Sequence, residues 1–136
     1  MGDWVGYTVV TVLLYGLWGF FPKLAVGRLS PRTTLFYETF GTALVGLLVL
    51  LLPGFRWEAD RRGILFAALT GVCGMVGTLF FFEALTRGRA SVITVMTALY
   101  PIVTLVLALV ILREPISLRQ WLGMGLALAA MVLLAA

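Results

Sequence analysis

The chain has 136 residues, 62% of them hydrophobic and 12% charged, with a mean hydropathy of +1.09; soluble domains carry about a quarter charged residues, so a soluble globular domain is excluded. With no histidine and one cysteine, Cys73, the chain has no internal disulfide, no ligand set for a His/Cys metal site and no nucleophile–histidine pair. The formal charge of +4 comes from basic residues flanking apolar runs, where lipid head groups favour them, and so points to a bilayer and not to nucleic acid.

The first apolar run predicts a helix over residues 4–26. Only Met1, Gly2 and Asp3 precede it, without the basic start of a cleavable signal peptide, so a retained membrane helix is expected. Pro22 is expected to kink or end it, because proline removes a backbone donor and clashes one turn back. Tyr15, Trp18, Gly19 and Pro22 share a stripe, and Lys23 follows. Lys23 reads as a snorkelling interfacial lysine, whereas Trp18 lies deep enough in the run to line a cavity or to belong to an aromatic belt.

Ser30-Pro31 suits a helix start, a capping oxygen followed by proline. The run over 33–52 contains one charge, Glu38, about a turn and a half from its start. An ionisable group in a spanning helix costs roughly 3 kcal/mol at mid-membrane, somewhat less near an end. Thr34, Glu38, Gly41, Thr42 and Val45 form a polar or small face while the other faces are Leu, Val and Phe. Such a stripe fits a helix whose functional face looks into a sheltered cavity. Pro53-Gly54 ends the run, and the segment carrying Arg56, Trp57, Glu58, Asp60 and Arg61 is expected to be solvated.

A third helix is predicted over 63–85. Gly71, Gly74 and Gly77 recur every three residues, which suits close helix packing in a membrane. Cys73 reads as a small packing residue beside them. Glu83 precedes Arg87 by four residues, the favourable order for a helical ion pair, and Gly88 is a natural stop. A fourth helix is predicted over 91–112, with Thr94, Thr97, Pro101 and Thr104 on one face and Tyr100 beside the proline. Pro101 frees a carbonyl that needs another partner, from Thr97 or from a wet cavity. After the turn Arg113-Glu114-Pro115-Ile116, Ser117 and Gln120 make a capping box. They open a fifth helix over 118–135, whose Gly123 and Gly125 give it a small-residue surface for packing or dimerisation.

Together these features resemble the drug/metabolite transporter superfamily, and within it the EamA-type domain. The resemblance is carried by Trp18-Gly19 through Lys23, by Ala84-Leu85-Thr86-Arg87-Gly88-Arg89-Ala90-Ser91, by Tyr100-Pro101, and by Arg113-Glu114-Pro115 followed by Gly123. It covers nearly the whole chain, read as a single EamA-like domain over 1–136. Larger relatives carry two such five-helix domains, inverted relative to each other, so this chain resembles half of an inverted-repeat transporter. Many relatives have a basic residue early in the second helix where this chain has Glu38. Small four-helix relatives bind cations, in competition with protons, through a glutamate in their first helix, which here has no acid.

Five helices would place Arg56, Arg61, Arg62, Arg113 and Arg119 on one side and Lys23, Arg28, Arg32, Arg87 and Arg89 on the other, five against five. Orientation follows the Lys/Arg bias of short loops, and here the bias is zero. The expectation is therefore dual topology, with copies pairing as an antiparallel homodimer in which each subunit serves as one repeat.

The fold class expected is all-α, a polytopic protein with five transmembrane helices in the inner or plasma membrane. The function expected is secondary transport of a small metabolite or a cationic, amphipathic compound, coupled to protons at Glu38. Trp18, Tyr37 and Tyr100, with Thr34 and Thr97, would line the substrate pocket, their aromatic faces suiting a cation. The partners are then the bilayer, a second copy and a small-molecule substrate, with no cofactor and no enzymatic activity. The rival reading is a non-transporting or lipid-handling subunit that pairs with an inverted partner.

Overall fold

The computed structural model describes residues 4–113 and 117–135. Among them every regular element is helical: α1 (Trp4–Val26), α2 (Pro31–Leu50), α3 (Arg61–Arg87), α4 (Ala90–Thr97), α5 (Tyr100–Leu107), a π-helical turn (Ala108–Leu112) and α6 (Leu118–Ala135). α1, α2, α3 and the segment Ala90–Leu112 are each long and apolar enough to cross a bilayer. α6, with 18 residues, falls within the span of about 17–25 that a crossing helix needs. The protein is an all-helical, multi-pass membrane protein. Its contacts divide it into two compact units, Met1–Arg87 and Gly88–Ala136.

In the first unit the helix ends are built by local chemistry. Ser30 caps α2, its side chain accepting from the Thr33 backbone N–H at 3.3 Å, and Pro31 takes the first turn, where no donor is needed. α2 thus starts two residues before the expected position 33, and Glu38 lies about two turns inside it. Asp60 caps α3 by accepting from Gly63 N–H at 2.6 Å, and α3 ends at Arg87, just before Gly88. Glu83 and Arg87 form the expected ion pair at 3.0 Å. Both are exposed, so the pair adds little stability.

The buried residues of this unit sit at one end, where the close of α1, the opening of α2 and the close of α3 meet. α3 presents Thr78, Phe81, Phe82 and Leu85 at positions i, i+3, i+4 and i+7, a single helical face, and all four are buried. Phe82 and Leu85 are 1% and 0% exposed. α1 contributes Gly19 and Pro22, and α2 contributes Thr34. α1 keeps the expected bounds, running through Pro22 to Val26 and not ending at the proline. Proline removes one intrahelical donor; here Pro22 is buried and the next residue, Lys23, donates from Nζ to the Leu85 carbonyl at 2.7 Å. That bond pins the last turn of α1 to α3 and satisfies a carbonyl near a helix end, where cations are favoured.

In the second unit the expected single helix over 91–112 is divided. Pro101 has no N–H to give Thr97, the Ala98 N–H bonds the Thr94 carbonyl at 2.9 Å, and Ile102 N–H turns to Leu99 at 3.0 Å instead of to Ala98. The Thr97 and Ala98 carbonyls therefore lack their usual i+4 donors, and α4 and α5 are separate helices. The π-helical turn closes at Arg113, which is left-handed at φ 53° and donates its N–H to Ala108. Glu114, Pro115 and Ile116 of the expected turn lie outside the described residues, as do Met1, Gly2 and Asp3. α6 opens on the capping box: Ser117 N–H donates to Gln120 Oε1 at 2.8 Å, and Gln120 N–H to Ser117 Oγ at 3.4 Å. A small apolar pocket of about 100 Å³ lies between Ala98, Pro101, Ile102 and Leu105 on one side and Met124, Ala127 and Leu128 of α6 on the other.

Replacing Lys23 by Met keeps the apolar stem and removes the donor to Leu85. The expected outcome is a loss of about 1–2 kcal/mol of stability, seen as a lower melting temperature of the detergent-solubilised protein.

Candidate functional site

The first unit holds a cleft of about 260 Å³ at its buried end. α1 supplies Trp18, Phe21, Pro22 and Ala25; the α1–α2 connection supplies Leu29; α2 supplies Thr34, Tyr37 and Glu38; α3 supplies Phe82. Thr34 and Glu38 reach it together because residues four apart on a helix are neighbours on one face. The remaining walls are aromatic or aliphatic, apart from the hydroxyl of Tyr37 and the indole N–H of Trp18.

The carboxylate of Glu38 is divided between two environments. Oε1 accepts from the Trp18 indole Nε1–H at 2.8 Å. Oε2 is buried and has no hydrogen-bond partner, and the same is true of Thr34 Oγ1. Glu38 makes no ion pair among the described residues. The indole is held in turn by Phe81, whose ring stacks on it with centroids 5.5 Å apart and planes 15° apart. α1, α2 and α3 are thus tied through one chain of contacts, Glu38 to Trp18 to Phe81. Chemically, the cleft offers one acid with a fixed oxygen and an open one, in apolar surroundings. Among the described residues no three His, Cys, Asp or Glu side chains are grouped to hold a metal.

The sequence matches the EamA-like transporter family over residues 3–136. The chain belongs to that family. It is therefore a member of the drug/metabolite transporter superfamily, and a membrane protein of transporter type. It is 24% identical over 130 residues to an uncharacterized protein of Methanocaldococcus jannaschii, an alignment covering 93% of this chain and 91% of that protein. No solved structure matches it.

Within this EamA domain, Trp18, Thr34, Tyr37 and Glu38 are brought to one cleft, whereas Thr97 and Tyr100 belong to the second unit and lie at the α4–α5 break. The sequence reading missed Phe21, Leu29 and Phe82 as walls and Phe81 as the support for Trp18. The signal for the two α3 residues was present: Thr78, Phe81, Phe82 and Leu85 make a heptad-like stripe beside the more conspicuous glycines. A Cβ added to Gly71, Gly74, Gly77, Gly123 or Gly125 would meet nothing within 4 Å in its own unit. Thr39, Thr42 and Thr70 bond carbonyls of their own helices, a common resolution for threonine in membrane helices.

Trp18→Phe keeps an aromatic ring for Phe81 and removes the donor to Glu38; Trp18→Ala removes both. We expect a loss of about 1 kcal/mol for Trp18→Phe and a larger one for Trp18→Ala, measured by thermal or denaturant unfolding in detergent. Equal losses would mean that the indole N–H contributes nothing.

Proposed function

We propose that the protein is a secondary transporter of a small cationic or amphipathic compound, with Glu38 as the shared proton and substrate site. The observation that carries this reading is the buried, unpartnered Oε2 of Glu38 in an apolar cleft. The open oxygen of the acid can hold a proton or face a cation, but not both at once. Proton and substrate therefore compete, and release of one accompanies binding of the other. Trp18 orients the carboxylate through Oε1, leaving Oε2 for the exchange. Tyr37 and the other aromatic walls offer their faces to a cation, and Thr34 offers its hydroxyl. Thr97 and Tyr100, beside a helix break whose Thr97 and Ala98 carbonyls lack their usual i+4 donors, form a second polar element in the spanning region; unwound backbone of this kind lines ion and substrate paths in transporters.

The proposed assembly is an antiparallel homodimer formed from copies inserted in both orientations. It is supported by the balance of five basic residues against five and by the small-residue stripe Gly71, Gly74 and Gly77 on α3. Alternating access then follows from exchange of conformations between two oppositely oriented subunits.

Glu38→Gln, in protein reconstituted into liposomes, is expected to lose proton-coupled transport by about tenfold or more and to abolish its pH dependence. Unchanged transport and pH dependence in this variant would end the proposal. For the assembly, reporters active on only one side of the membrane, fused to the C-terminus, should give comparable signals on both sides. Two arginines added at one end should tip that balance. A signal on one side alone would replace the homodimer by pairing with a different, inverted partner.

A further inference from the structure

Resting on the transport site just proposed, we infer that the cleft selects cations bearing N–H groups, protonated primary amines with one small apolar group, over quaternary ammonium compounds of the same charge and shape. Two orphaned polar atoms carry this. Glu38 Oε2 and Thr34 Oγ1 are both buried without a partner, Thr34 is 6% exposed, and the two residues sit one turn apart on α2 and line the same cleft. A carboxylate oxygen only accepts; a threonine hydroxyl accepts as well as donates. A group placed between them satisfies both if it brings at least two donors, which a primary ammonium does with a third to spare.

The other walls define the rest of the ligand. Trp18, Phe21, Leu29 and Phe82 present apolar surface, and a volume of about 260 Å³ falls just below the range of about 300–1,000 Å³ typical of drug-sized sites. That suits one aromatic ring or a short alkyl group. A quaternary ammonium also meets the charge of Glu38 and the aromatic faces, but it has no N–H. Binding it buries both oxygens still unpaired, and a site that hydrogen-bonds its ligand rejects an analogue lacking the donor far more strongly than one lacking a methylene.

The test is direct binding to the purified full chain in detergent or nanodiscs by titration calorimetry. The ligands are phenethylammonium and its N,N,N-trimethyl analogue, and the proteins are wild type, Thr34→Val, Thr34→Ser and Glu38→Gln. The wild type is expected to prefer the primary amine by about tenfold or more. Thr34→Val should weaken the amine by about fivefold, leave the trimethyl analogue within about twofold, and be rescued by Thr34→Ser. Glu38→Gln should weaken both. Equal wild-type affinity for the two ligands, both lowered by Glu38→Gln, overturns the N–H selectivity while the transporter reading stands. A Thr34→Val variant that weakens both ligands alike also overturns it, since Thr34 would then serve Glu38 and not the ligand. Binding of neither ligand, with proton exchange at Glu38 intact in liposomes, overturns the amine class alone. If Thr34→Val does not fold, the wild-type preference and Thr34→Ser still decide the matter.

Discussion

The hydrogen bond from the Trp18 indole to Glu38 is the constraint on which the rest of this structure depends. A carboxylate two turns inside a membrane helix needs a polar partner, because the hydrocarbon region offers no water. Here α1 provides it, at 2.8 Å. The indole can hold that position only if its ring is fixed, and Phe81 of α3 fixes it by stacking. Three helices are therefore arranged around one acid. The buried residues of the unit, Gly19, Pro22, Thr34, Thr78, Phe81, Phe82 and Leu85, gather at the same end. Away from it the helices show open space at Gly6, Gly16, Gly41 and Gly46. Packing is concentrated where the polar requirement is greatest, which is also where the cleft forms.

The two intramembrane prolines show how context decides the outcome of the same chemistry. Each removes one backbone donor. Around Pro22 the helix is continuous: the proline is buried, and Lys23 reaches across to the Leu85 carbonyl, so the turn is held by tertiary contact. Around Pro101 the neighbouring donor also departs, Ile102 turning to Leu99, and the helix separates into α4 and α5. One proline becomes part of a wall, the other makes a break at which the Thr97 and Ala98 carbonyls lack their usual i+4 donors. In the proposed transporter these are different tools, a rigid boundary for the cleft and a polar irregularity in a spanning segment.

Family membership sets the frame for reading these features. The match to the EamA-like transporter family covers residues 3–136, and in the proposed assembly each copy serves as one of two oppositely oriented repeats. The balance of basic residues and the glycine stripe of α3 support, in the proposal, pairing with an inverted second copy. In the cleft the acid has one oxygen engaged by Trp18 and the other without a partner, which is the feature that the proposed transport mechanism uses.

Much of this protein was readable without coordinates, and the reasons are physical. Length and polarity of the apolar runs determine that they cross a bilayer, because an unsatisfied backbone in lipid leaves few alternatives to helix. Caps at Ser30 and Ser117 and the Glu83–Arg87 pair are interactions between residues three or four apart, so spacing alone specifies them. The charge on Glu38 inside an apolar run likewise marks it as the residue needing an explanation. What required the tertiary structure is everything set by contact between helices. That Trp18 is the partner of Glu38, that Phe81 stacks behind it, that Pro22 is carried through by Lys23, and that Thr34 is left with an unmet hydroxyl all depend on which faces of α1, α2 and α3 meet. In a membrane every helix is apolar around most of its circumference, so hydrophobic periodicity no longer identifies the inward face, and only the packing of particular side chains decides it.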